Sequence, residues 1–93
     1  MNKYEYSKEM SAEEAYNEVK RIINEDLLKK FSIKGKIDHN DSKQTIAVDG
    51  KGFGLNMQFS SGYLEYDLKL SLMLKPLKGK VVEGLEAQLK KVL

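Results

Sequence analysis

FGLNMQFSSGYLEYDLKLSL, residues 53–72, decides the fold. Phe53, Leu55, Met57 and Phe59 alternate with Gly54, Asn56 and Gln58. SSG turns the chain, and Leu64, Tyr66, Leu68, Leu70 and Leu72 then alternate with Glu65, Asp67, Lys69 and Ser71. A period of two places every second side chain on the same face of a strand. Two such runs joined by a short glycine-bearing turn predict an antiparallel hairpin with one apolar and one polar face. Such a sheet packs on one side and is wet on the other.

The pattern extends upstream. DGKG, residues 49–52, is a hairpin signal, and Ile46 and Val48 alternate before it with Thr45, Ala47 and Asp49. HNDSK, residues 39–43, reads as a polar turn, and Ile33, Gly35 and Ile37 alternate ahead of it with Lys34, Lys36 and Asp38. Four strands in a meander follow. Their wet face is expected to carry Lys34, Lys36, Asn56, Gln58, Glu65, Asp67 and Lys69. KYEYS, residues 3–7, also alternates and predicts a short further strand.

Two helices flank these strands. In MSAEEAYNEVKRIINEDLLKKF, Ser11 and Glu14 have the spacing of a capping box, and Met10 and Ala15 that of a hydrophobic staple. Ala12, Tyr16, Val19, Ile23 and Leu27 recur at three- and four-residue spacing, which predicts one helix over 11–31. LMLKPLKGKVVEGL, residues 72–85, reads as the start of the second. Pro76 suits its first turn, and Leu77, Val81, Leu85, Leu89 and Val92 line one face. Gly79 and Gly84 weaken this helix and are expected to let it pack closely on the sheet.

Four strands spaced at about 4.8 Å make a sheet about 20 Å wide. One helix covers about 10 Å, so two are needed and two are present. The expected fold is α+β: a two-layer sandwich in which a four- to five-stranded antiparallel meander sheet is packed on one face by two helices. Residues 1–93 form a single domain, with a thin core containing Phe53, Phe59, Leu68 and Leu85.

Of the 93 residues, 41% are hydrophobic and 32% charged, as in ordinary globular domains. The net charge of +2 hides a gradient. Residues 1–26 carry four basic and seven acidic side chains, residues 27–74 seven and five, and residues 75–93 five and two. The absence of cysteine excludes disulfides and thiolate metal sites. Without a secretory h-region or a run of about 18 apolar residues, the chain reads as a soluble cytoplasmic protein of bacterial type with no transmembrane segment.

No catalytic set stands out. His39, the only histidine, has only Asp38 and Asp41 as obvious co-ligands and reads as a solvated turn residue, so no metal is expected. DGKGFG lacks both phosphate fingerprints and reads as a hairpin turn. Glu65 and Asp67 share a strand face, but acid–base work requires a cleft, and an open face gives ordinary surface charges. Tyr4, Tyr6, Tyr63 and Tyr66 interleaved with lysines suggest a stacking surface; the near-neutral charge and the lack of an RNP-like run argue against nucleic acid.

Lys75, Lys78 and Lys80 are the best candidate site. They stand within or beside the first turn of a helix, the end that already carries partial positive charge. Cations there add to the free N–H groups in attracting an anion or an acidic partner. The plainer alternative is that these lysines only solubilise the surface.

GKGFGLNMQFSSGYLEYDLKLSLMLKPLKGKVVEGLEAQLKKVL, residues 50–93, resembles the polyhydroxyalkanoic acid system protein family, the polyhydroxyalkanoate granule-region proteins. The resemblance rests on a glycine-bearing strand, a charged and aliphatic strand, and L-x-x-L-K-G-K-hydrophobic-x-E, here Leu74 to Glu83, leading into a terminal helix. S-A-E-E-A, Ser11 to Ala15, looks like the family's first helix. The resemblance implies a link to polyester storage and supplies no catalytic residue or cofactor.

The first functional expectation is therefore a non-enzymatic accessory or binding protein associated with polyhydroxyalkanoate storage granules, with a granule or protein partner. The second is a small-ligand or lipid-binding domain with the ligand between sheet and helices. An enzyme ranks last, because no nucleophile–base set appears. The edge strands of such a sheet also admit a homodimer.

Overall fold

The computed structural model describes residues 2–30 and 34–93. The expected helix end at Phe31 and the place of Ile33 in the alternation lie outside the described residues. In chain order the elements are β1 (Asn2–Glu5), α1 (Ala12–Ile22), α2 (Glu25–Lys30), β2 (Gly35–Asn40), β3 (Thr45–Gly50), β4 (Phe53–Phe59), β5 (Tyr63–Leu70), a 3-10 turn (Lys75–Leu77) and α3 (Lys78–Val92). The fold is α+β, an antiparallel sheet with helices packed on it.

The sheet runs β1-β5-β4-β3-β2. The meander forms as its alternation predicts, and the short strand expected over KYEYS forms one residue earlier, as Asn2–Glu5, beside β5. Register puts Ile46, Val48, Phe53, Leu55, Met57, Phe59, Leu64 and Tyr66 on the helix face, and all are buried. The other face presents Lys3, Lys36, Asn56, Gln58, Glu65, Asp67 and Lys69. Gly52 at φ +75° and Gly62 at φ +86° make the β3–β4 and β4–β5 turns, a left-handed geometry that glycine adopts without a Cβ clash.

The long first helix is two helices. Ser11 and Glu14 close the capping box of α1, but Ile23 has extended backbone angles and ends it. Asn24 then caps α2: its Oδ1 accepts from Leu27 N–H at 3.1 Å. Asn24-Glu25-Asp26 is a helix-start signature inside the apolar stripe, a capping asparagine followed by two acids at the positive end of the dipole. The break frees the Ile23 carbonyl, and His39 Nε2–H donates to it at 3.3 Å. His39 is consequently not a turn residue. It is half-buried on β2, on the same face as Ile37.

Two opposite ends of the sandwich differ in how they are tied. At one, Tyr6 N–H donates to Gly62 O at 3.1 Å, and the Tyr6 hydroxyl donates to Tyr63 O at 2.7 Å and Ser60 O at 3.0 Å. Gly62 N–H reaches Met10 O, and Ser7 gives both its N–H (2.8 Å) and its hydroxyl (2.5 Å) to Leu93 O. The Tyr16 hydroxyl, from α1, donates to Asp41 Oδ1 in the β2–β3 turn at 2.5 Å. Leu85, Leu89 and Leu93 seat α3 in the core. The opposite end holds the β3–β4 turn and the segment between β5 and α3.

Candidate functional site

Strand β5 stops at Leu70 and does not continue to Leu72. Ser71 N–H donates to Gly52 O at 2.8 Å, and Ser71 O accepts from both Leu74 N–H and Lys75 N–H at 2.9 Å. The chain thus folds into consecutive turns over 71–77. Leu74 is half-buried, with its Cδ1 over Gly52. Leu72 and Met73 are turned out to solvent, 81% and 90% exposed. Leu77, expected to open the buried stripe of α3, is 47% exposed. Among the described residues these three are the only exposed large hydrophobic side chains, and they lie within six positions of one another.

The three lysines lie in the same stretch of chain. Lys75 begins the 3-10 turn, and Lys78 and Lys80 stand in the first turn of α3; all are exposed. No acidic residue occurs from Leu68 to Val82, and among the described residues none of the three lysines is in an ion pair. Pro76 occupies an early position of the turn, as expected, and the start of α3 has no side-chain cap. Gly79 does not serve close packing, since a Cβ built on it would meet nothing within 4 Å.

The apolar members of this tip carry a signal in the sequence. Leu72-Met73-Leu74 are three consecutive apolar residues, so period two has already failed before Pro76. A strand on a half-wet sheet would have placed a polar residue at 73.

Beneath the tip, between sheet and helices, lies an apolar cavity of about 30 Å³ lined by Leu27, Leu28, Phe53, Leu68, Val81 and Leu85 among others. That is room for about one water, against the roughly 300–1,000 Å³ of ordinary ligand pockets. A wider, open groove of about 480 Å³ runs along Glu9, Ser11, Glu14, Ser61 and Gly62, where Ser11 and Glu14 cap each other.

The other candidates separate. Tyr4 is registered opposite Leu64 on the helix face, Tyr66 is buried, Tyr6 is tied by its hydroxyl, and Tyr63 stands on the open face under the Lys3 ammonium at 4.4 Å. The tyrosines therefore make no common stacking platform. Burial pushes the Tyr6, Tyr16 and Tyr66 hydroxyls up to about 12; for Tyr16 and Tyr66, hydrogen bonds to Asp41 and Glu86 add to this. The hydrogen bond from Tyr16, helped by Lys20, holds the Asp41 carboxyl below its ordinary range. These groups join secondary-structure elements. Among the described residues no group of three His, Cys, Asp or Glu side chains is placed to hold a metal, and no helix is long and apolar enough to cross a membrane.

Comparison of the chain with protein-family models, with curated proteins and with solved structures gave no match.

Proposed function

We propose that this chain is a non-enzymatic accessory protein that attaches to the surface of an apolar particle, the polyester storage granule, through the tip formed by residues 72–80. The observation that carries the reading is the exposure of Leu72, Met73 and Leu77 within one short stretch of chain that also presents Lys75, Lys78 and Lys80 to solvent. An exposed apolar cluster rimmed by charge marks an interaction site. The granule is named from the resemblance of residues 50–93 to granule-region proteins, and the cytoplasm is where such granules would be met.

A ligand between sheet and helices is the weaker reading, because the cavity of about 30 Å³ holds no organic molecule without repacking of Phe53 and Leu85. The test is sedimentation with purified granules of the wild-type protein and of the combined variant Lys75→Glu, Lys78→Glu, Lys80→Glu. The wild type should sediment with the granules and lose association as salt rises, since exposed charges are screened over about 8–10 Å. The triple variant should stay in solution while retaining the wild-type circular dichroism spectrum. Undiminished association of the folded triple variant would reduce the lysines to surface solubilisers.

A further inference from the structure

The tip has a shape and a charge, and together they restrict what it can meet. Leu72 and Met73 are nearly as exposed as side chains on a free peptide, so they project from the molecule and line no groove. A folded protein partner would need a complementary pocket to cover such a projection. A fluid interface needs none, because its molecules part around the inserted side chains. Lysine suits the border of that interface: its methylene stem lies along apolar material while the ammonium stays in water. Three lysines and no carboxylate within the tip favour an interface of negative charge. Pro76 and the turns anchored on Gly52 hold the segment in place, which lowers the ordering cost of insertion.

We infer that the tip recognises anionic phospholipid: Leu72, Met73 and Leu77 enter the acyl layer, and Lys75, Lys78 and Lys80 lie among the headgroup phosphates. The inference rests on the particle-surface reading above and narrows it, since phospholipid at that surface and not the polyester would be the ligand. The sheet's open face, which mixes Lys3, Lys36 and Lys69 with Glu65 and Asp67, would remain in water.

The chain contains no tryptophan, so a single introduced one reports its own surroundings. Met73→Trp and, as a control on the open face, Gln58→Trp are to be titrated with vesicles of phosphatidylcholine, vesicles of three parts phosphatidylcholine to one of phosphatidylglycerol, and polyester particles stripped of lipid. The expected result is a blue shift of Met73→Trp emission with the anionic vesicles, an apparent affinity at least about tenfold above that for neutral ones, and no shift of Gln58→Trp. Equal affinity for neutral and anionic vesicles would overturn the inference, as would a shift confined to Gln58→Trp. Binding to stripped polyester without binding to anionic vesicles would also overturn it, leaving the particle-surface reading intact. Binding to none of the three would remove both.

Discussion

Helix α3 belongs to two different regions of the molecule. Its last three turns bury Leu85, Leu89 and Leu93 and end where Leu93 O takes two hydrogen bonds from Ser7. Its first turn, with the segment before it, exposes Leu77, Leu72 and Met73 among lysines. The residue types are nearly the same at the two ends; what differs is whether anything covers them. At the buried end apolar side chains hold the fold. At the exposed end the same chemistry contributes little to the fold. Stability and attachment should therefore be separable by substitution within one helix and the segment leading into it.

The largest effect should come from the buried end. Leu89 is fully buried, and Leu89→Ala should cost about 2–5 kcal/mol, as large-to-small core substitutions do. Urea denaturation measures it, and a loss no larger than that of a surface substitution would break the comparison. Deleting 77–93 should abolish cooperative folding, because it removes Leu85, Leu89 and Leu93 from the core.

The sandwich body should also weaken in alkali through its tyrosines, of which the tip has none. Tyr6, Tyr16 and Tyr66 ionise at about 12 in the folded protein and at the ordinary 10.0 when unfolded. Between those values the unfolded chain has released protons that the folded one retains. Stability is then complete below pH 10 and falls as the pH rises toward 12. Denaturation midpoints across this range check the sign, and Tyr16→Phe should flatten the fall.

A smaller effect locates the hinge between the first two helices. Asn24→Ala removes the cap of α2 and should cost about 1 kcal/mol. Hydrogen exchange should show the loss confined to α2. A loss spread evenly over α1 would mean that the two act as one helix after all.

These differences also explain what was legible beforehand. Strict alternation in 53–70 fixed the strands, their faces and their order, because a one-residue slip would have turned every buried side chain of β4 and β5 into water. The three- and four-residue spacing of Tyr16, Val19, Ile23 and Leu27 showed which side of the first helical region is buried, but not that it breaks. An apolar stripe tolerates a kink at Ile23, and only the capping preference of Asn24 marks it. At His39 a histidine beside Asn-Asp looks like turn chemistry, while its partner is a carbonyl freed by the break at Ile23. For the tip, the lysines were visible from charge alone. Leu72 has the parity of the strand, and only Met73 beside it violates the pattern.

The smallest expected effect on stability belongs to the tip. Leu72→Ser with Met73→Ser should change the denaturation midpoint by no more than surface substitutions do, within about 0.5 kcal/mol. The separation of fold from attachment is then tested most directly by granule sedimentation of this folded double variant beside the wild type. The predicted result is a fall in bound protein of about tenfold or more at an unchanged denaturation midpoint, since two side chains that would be buried on binding have lost their apolar contact. Wild-type sedimentation by the double variant would contradict the account.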